Sequence, residues 1–331
     1  MTDSTSNQSP SLVDAGDRQA GPTSDELRHR YYNARVARIR LVHDDLMILR
    51  VVPDVKCRAM RAGQYTLLGL GRWERRADRV MSGSHSCPGT KGLIRRAYSI
   101  SCPLLDDSGA LVTIDDLPYL EFFINCIRKA ADEPPMLTPR LFALNEGDRL
   151  YIGPHAHGHY TVEAISGGDN VIFAATGTGE SPHNAMLAEL LRRRHEGKIV
   201  VVTCVRYRAD LAYLDVHSAL ERRFANYRYL PLTTRESENV DPSHSGYVGK
   251  QYLQDLFASE CVARKLGFQL DPLRTHVYLC GSPAMIGPPR RTADGDIHFP
   301  EPVGMVEVLS DLGFHLDEPH RPGNVHFEKY W

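Results

Sequence analysis

The chain of 331 residues has no cysteine pair at C-x-x-C spacing, and its 7 cysteines are an odd number. Both absences argue against a disulfide framework, a zinc ribbon and an iron–sulfur cluster held by this chain, and they fit reduced thiols in a cytoplasmic protein. No run approaches the ~18 consecutive apolar residues that a membrane-spanning helix needs. Neither sign of charge prevails, since 39 Lys and Arg face 41 Asp and Glu for a formal net charge of −2. The molecule as a whole therefore has no field drawing it to nucleic acid or to an anionic membrane, and any electrostatic preference must be local. The first 27 residues lack the apolar stretch of a signal peptide, and Asp3, Asp14, Asp17 and Asp25 argue against a transit peptide. Residues 1–30 are read as a disordered tail. What is plentiful is apolar sequence, 42% over the whole length, which suffices for two domains with a core each.

From about Val36 to Val162 the apolar residues come in short runs broken by Gly, Pro and Asp: Ala37 to Pro53, Gln64 to Leu70, Ala97 to Ser101, Leu120 to Ile127 and Asp148 to Pro154. This rhythm predicts an antiparallel β-barrel over residues 31–166. After Ser166-Gly167-Gly168-Asp169-Asn170 the pattern alternates. Val171 to Ala175, Lys198 to Val205, Tyr227 to Thr233 and Thr275 to Cys280 read as strands, with helices over Asn184 to Arg194 and Leu214 to Phe224. That alternation predicts an α/β parallel-sheet domain over 167–331, with helices on both faces. Ligands of such sheets bind at the carboxyl ends of the strands, here expected to face the barrel.

Five clusters carry chemistry. Arg96-Ala97-Tyr98-Ser99 ends a strand; an Arg there can hold a phosphate, the Tyr can lie flat on a ring system, and the Ser can bond an atom at the ring edge. Phe173-Ala174-Ala175-Thr176-Gly177-Thr178-Gly179-Glu180-Ser181-Pro182 is a strand, a Gly-rich turn and a helix start, suited to close approach of a pyrophosphate but not the G-x-G-x-x-G fingerprint of a standard Rossmann dehydrogenase. Arg206, Arg235 and Lys250 each follow a strand or precede a helix, and cations there favour a 2′-phosphate over a bare ribose. The fourth cluster is Cys280-Gly281-Ser282-Pro283 and the fifth the terminal Glu328-Lys329-Tyr330-Trp331, whose aromatic pair either locks packing or covers something flat.

Together with Leu137-Thr138-Pro139-Arg140, Arg206-Tyr207 and Thr234-Arg235-Glu236, these motifs stand in an order that resembles the ferredoxin-NADP reductase family over about residues 34–331, most of all the bacterial subclass whose chains end in Tyr-Trp. The resemblance implies that Arg96 binds the FAD pyrophosphate, that Ala97 and Tyr98 lie along the flavin, and that Ser99 bonds near flavin N5. Phe123, Ile124, Asn125 and Cys126, and the turn Leu137-Thr138, match segments contacting the flavin and its phosphates. Thr178 matches a threonine reaching the cofactor from the second domain. Val205, Arg206, Thr234, Arg235 and Lys250 match the NADP site, with Lys250 in place of a common Arg. Cys280 matches the residue beside the nicotinamide and Glu328 a carboxylate that shapes its pocket. Tyr330 would stack on the flavin and Trp331 would cover the adenosine end.

The expectation is a monomeric FAD enzyme passing a hydride between NADP(H) and flavin and single electrons to or from a separate ferredoxin or flavodoxin, with no nucleic-acid or membrane partner. Two alternatives stay open: a reductase component serving an oxygenase or other acceptor, and a flavin-binding redox sensor or interaction module without turnover. Glu180 departs from the common Gly-Ile-Ala-Pro and is expected to repel a pyrophosphate. Residues 72–96 carry seven cations against Glu74 and Asp78, a local +5 on a loop suited to steering an acidic carrier. His155, His157 and His159 alternate but have no carboxylate or thiolate companion, so they read as a barrel strand and not as a metal site.

Overall fold

A computed structural model describes residues 22–56, 60–77, 92–128, 136–291, 297–318 and 320–330. The chain enters through helix α1 (Ser24–Tyr31), where the expected tail ends early: Thr23 and Glu26 form a reciprocal capping box that fixes the first turn. Arg28 then donates to both carboxylate oxygens of Glu74, 2.9 and 2.7 Å away, and the Tyr32 hydroxyl donates to the same carboxylate at 2.8 Å. The helix is therefore pinned to the start of the basic loop.

Strands β1 (Ala34–His43) and β2 (Leu46–Pro53) form a hairpin, followed by β3 (Tyr65–Gly71), β4 (Leu93–Ser99), β5 (Leu120–Asn125), helix α2 (Thr138–Leu141) and β6 (Arg149–Ile152). All six strands pair antiparallel in the order β4-β3-β6-β1-β2-β5. The two edges meet where the Ser101 N–H donates to the Glu121 carbonyl at 2.8 Å, which closes the sheet on itself. Val36, Met47, Leu49, Leu68, Leu70, Phe122 and Ile124 fill the interior. The histidine run does not form a strand: His157 makes one bridge to Tyr65, because Gly158 at φ +106 turns the chain over the Tyr65 ring. All three histidines are exposed.

The second half begins with β7 (Asn170–Thr176), α3 (Glu180–Arg192), β8 (Ile199–Val205), α4 (Leu214–Arg223), β9 (Tyr227–Thr233), α5 (Ser237–Val240), α6 (Leu253–Ala258), α7 (Val262–Leu266) and β10 (Thr275–Gly281). It ends with α8 (Pro283–Ile286), a ribbon of β11 (Arg290–Arg291) and β12 (Ile297–His298), α9 (Met305–Asp311) and β13 (Val325–Lys329). The parallel sheet has the order β13-β10-β7-β8-β9. Alternate residues of each strand face opposite sides. Val171, Phe173, Val201 and Tyr278 pack with Leu187, Leu191 and Leu220 of α3 and α4, whereas Ile172, Ala174, Val200 and Leu279 pack with Leu256, Ile286 and Leu309 from α6, α8 and α9. Helices therefore cover both faces, as expected.

The chain steps outward from β7 to β9 and returns to β10 on the other side of β7. The strand order thus reverses between β7 and β10, and crevices at such reversals are where these sheets bind ligands. Helix α3 closes the crevice from below, since its buried residues belong to one hydrophobic cluster with Ile100, Cys102, Leu104 and Ile114 of the barrel half. Its far end is tied by an ion pair between Arg192 and Asp116.

Candidate active site at the seam

Five of the expected site residues meet at the reversal point. Register pairs Cys280 with Ala175 on one side and with Glu328 on the other, so the ends of β7, β10 and β13 present Thr176, Cys280 and Glu328 side by side. Ser99, at the end of β4 in the barrel, donates its hydroxyl to Glu328 Oε2 at 2.9 Å. The Tyr330 hydroxyl donates to the Thr178 carbonyl at 3.2 Å, and the Tyr330 N–H to the Gly281 carbonyl at 3.1 Å. This brings Ser99, Thr178, Cys280, Glu328 and Tyr330 together from both halves of the chain.

Close backbone approach explains the glycines. A Cβ on Gly179 would sit 2.3 Å from the Cys280 carbonyl, and one on Gly281, at φ +127, would sit 2.3 Å from Thr176 Oγ1. That threonine oxygen accepts the Ser282 N–H at 2.9 Å. Gly177, by contrast, has φ +52 and open space where a side chain would be, so the loop keeps a bare backbone face.

Burial sets the protonation of this cluster. It pushes the Cys280 thiol well up, reinforced by Glu328, so the sulfur is a thiol. Burial also raises the Glu328 carboxyl above its ordinary value, and the Ser99 hydrogen bond opposes this in part. The Tyr98 hydroxyl is likewise pushed up by burial. The site offers a hydroxyl, a thiol and a carboxyl of raised pKa next to the reversal point.

The other expected residues fall into three groups. Arg96 and Ala97 lie exposed on β4, and Arg96 donates to the Arg95 carbonyl at 2.9 Å and makes no ion pair among the described residues, so its guanidinium is available to an anion. On β5, Phe123 is packed edge-on against Tyr213 at 5.4 Å and Ile124 fills the barrel, so neither side chain is free for a ligand; Asn125 is exposed and the Cys126 N–H is held by the Asp45 carbonyl at 2.7 Å. Leu137 and Thr138 are buried at the start of α2, where Thr138 Oγ1 accepts the Ile127 N–H at 3.2 Å.

At the far edge of the sheet, buried Val205 ends β8 and its carbonyl takes the Thr234 N–H at 3.1 Å and hydroxyl at 3.2 Å, which sets Arg206 beside Thr234 and Arg235. Asn239, buried and missed in the sequence, accepts the Glu236 N–H at 3.1 Å and donates to the Gly249 carbonyl at 3.0 Å. It folds residues 236–249 back so that Lys250 precedes Gln251, whose carbonyl lies over Cys204 on β8. Arg206, Arg235 and Lys250 are exposed and make no ion pair among the described residues. Exposed Tyr252 stands two residues beyond Lys250 and adds a flat surface that the composition of the segment alone did not single out. Trp331 and residues 78–91 of the basic loop lie outside the described residues.

Glu180 corrects an expectation. Its carboxylate is fully buried, bonded by Thr203, His217 and Tyr229, and turned into the sheet, so it does not face the loop where a pyrophosphate would lie.

A dinucleotide needs a bare loop, unpaired cations and a flat platform, and a flavin needs an open strand end beside polar, uncharged groups. The residues present meet both requirements. Residues 173–289 match the family of oxidoreductase NAD-binding domains. A flavodoxin/ferredoxin–NADP reductase of Buchnera aphidicola (Schizaphis graminum) is 25% identical over 256 residues, 77% of this chain and 87% of the relative. That of Escherichia coli K12 is 27% identical over 226 residues, 68% and 75% of the two chains. A ferredoxin NADP+ reductase structure from Neisseria gonorrhoeae, with bound FAD and NADP, superposes with TM-score 0.65 at 19% identity, covering 90% of this chain and 98% of that one. The CS-b5R domains of human Ncb5or share the fold at TM-score 0.62 and 16% identity, covering 90% and 69%. In fold and in sequence, then, the chain is similar to the ferredoxin-NADP reductases.

Proposed function

We propose that this protein is an FAD-dependent oxidoreductase that moves a hydride between NADP(H) and flavin and single electrons to or from a ferredoxin or flavodoxin. The observation that carries the reading is the Ser99–Glu328 contact of 2.9 Å, which joins the end of a barrel strand to the end of the parallel sheet beside Cys280 and Tyr330. The bound flavin would supply the conversion between two-electron and one-electron chemistry.

The chain's own residues supply placement. Arg96 and the segments at Asn125 and Leu137-Thr138 would hold the FAD, and Arg206, Thr234, Arg235 and Lys250 the 2′-phosphate, with Tyr252 beneath the base. The backbone of Gly177 to Gly179 admits the pyrophosphate, and Cys280, small and un-ionised, leaves room for close approach of a nicotinamide without adding charge. Ser99 and Glu328 form a short path along which a proton can reach solvent. Tyr330, bonded to the Thr178 carbonyl, would cover the face that the nicotinamide must take. We place the protein, within the same proposal, in the cytoplasm as a monomer of the subclass ending in Tyr-Trp, its halves dividing near residue 166.

The test is the visible spectrum of the purified protein before and after NADPH. A flavin spectrum bleached by NADPH, with NADH much less effective, and reoxidised by ferredoxin or flavodoxin is the expected result. Protein that stays colourless after reconstitution with FAD would end the reading.

A further inference from the structure

The first turn of α3 holds a charge that the proposed chemistry does not use. Glu180 Oε1 accepts from the Thr203 hydroxyl at 3.0 Å, the Tyr229 hydroxyl at 3.0 Å and His217 Nε2 at 3.1 Å. His217 Nδ1 lies 2.7 Å from the Tyr227 hydroxyl, and its ring stacks on Tyr229 at 4.1 Å. Proton positions follow from counting donors. Tyr227 is buried with no other side-chain partner among the described residues, so its hydroxyl donates to Nδ1, which leaves Nε2–H as the donor to Glu180. Three donors then converge on Oε1. An acid proton on Oε2 would meet no acceptor, because Oε2 is buried without a partner among the described residues. With Glu180 ionised and His217 neutral, the hydroxyl and imidazole protons of the cluster each have an acceptor.

In that state the cluster holds one net negative charge, with no Arg or Lys paired to it among the described residues. The amino end of the 13-residue α3 favours it there. It also lies next to the proposed chemistry. The following residue, Ser181, is buried and donates to the Ser99 carbonyl at 2.9 Å, and Ser99 is the residue whose hydroxyl meets Glu328.

We propose that Glu180 is a fixed internal charge that lowers the reduction potential of the bound flavin; this deepens the functional reading above and rests on it. A hydride carries two electrons and one proton, so its arrival adds one net negative charge, which Glu180 repels. At an effective dielectric of about 20, a unit charge on the order of 10 Å from a redox centre changes such an equilibrium by roughly tenfold. For a two-electron couple, tenfold corresponds to about 30 mV. The repulsion keeps electrons available to a carrier of low potential. Glu180 is a positioning residue in this role: it acts through space and touches no substrate.

The experiment is a potentiometric titration of the full-length, FAD-loaded protein and its Glu180→Gln, Glu180→Ala and Glu180→Asp variants. Gln retains the acceptor oxygen and replaces an oxygen that has no partner. Both neutral variants should shift the two-electron equilibrium about tenfold toward reduced flavin, and the Asp variant should stay near wild type; either neutral variant decides the matter alone. Neutral variants that titrate with the wild type overturn the proposal, as does an Asp variant that shifts as far as Gln. These failures, with flavin bound, leave the functional reading standing. A wild-type protein that never takes up FAD ends that reading and this inference together.

Discussion

Lowering the pH should destabilise the protein through His183. The imidazole is fully buried on α3, its ring 5.0 Å from that of Phe173 and its Nε2 2.7 Å from the Tyr160 hydroxyl, while Nδ1 has no partner among the described residues. Burial holds its pKa down to about 3 from an ordinary 6.5. Because the folded value is the lower one, the unfolded chain takes the proton first, so stability is intact above about pH 6.5 and drains as pH falls toward 3. The whole gap is worth ~5 kcal/mol, of which about 2 kcal/mol has gone by pH 5. Urea unfolding of the wild type and His183→Phe at pH 7.5 and 5.0 isolates this contribution. At pH 7.5 the variant should be weaker by about 1–2 kcal/mol, since the buried Tyr160 hydroxyl loses its partner. At pH 5.0 the difference should shrink by about 2 kcal/mol and vanish or reverse. A difference that does not change with pH would refute the account.

Other expectations concern turnover. Arg235→Ala should raise KM for NADPH by ~10–100-fold and leave NADH nearly unaffected, the loss of one charge-assisted phosphate contact; equal effects on both nucleotides would remove Arg235 from the 2′-phosphate site. Asn239→Ala should have a weaker effect of the same selectivity, because it releases the turn before Lys250, and a change in flavin content instead would contradict this. Glu328→Gln should slow flavin reduction by about 10–100-fold with little change in NADPH affinity, and should flatten the acid limb of the pH–rate profile that a raised carboxyl pKa produces. Charge reversal at Arg75 and Arg76 should slow carrier reduction in a salt-dependent manner while ferricyanide reduction stays intact; parallel losses would make the loop structural.

Periodicity revealed the layers because burial enforces it. Val171 to Ala175 and Lys198 to Val205 are apolar on both faces since helices cover both, and only a sheet sandwiched in this way selects such runs. The same logic missed β13, because Val325–Lys329 is an edge strand with one buried residue and three polar or charged ones, and its pairing with β10 is a long-range fact. Ser99, Cys280 and Glu328 were found through motif order, but their contact is not local in sequence: Ser99 and Glu328 lie 229 residues apart. Glu180 misled for a related reason. A carboxylate at a helix start after a Gly-rich turn reads as facing the turn, and only the partners at Thr203, His217 and Tyr229, spread over β8, α4 and β9, show that it faces the sheet. The capping box at Thr23 and Glu26 was visible in the sequence and lost in an otherwise polar tail.

The seam also determines what can move. Helix α3 packs on the barrel and on the sheet within one apolar cluster, Ser181 is bonded to Ser99, the Tyr213 hydroxyl donates to buried Glu121 at 3.0 Å, and the Tyr278 hydroxyl donates to the Thr161 carbonyl at 3.0 Å. Opening the halves would expose all of these at once, so a hinge is a costly route to the flavin face. The end of the chain offers a cheaper one. Tyr330 follows the last residue of β13 and is half-buried, with a hydrogen bond of 3.1 Å from its N–H to Gly281, one of 3.2 Å from its hydroxyl to Thr178, and Ser99 and Cys280 beside that hydroxyl. Nicotinamide access should therefore come from displacement of Tyr330 with the domains fixed. Hydrogen exchange should find the Tyr330 amide exchanging far faster than those of α3, and NADP+ should alter exchange at residues 328–330 without increasing it along α3 or at Ser101. Removing Tyr330 and Trp331 should raise NADH use relative to NADPH. Exchange that rises across α3 and Ser101 on nucleotide binding would mean that the domains separate and that the terminal tyrosine is not the gate.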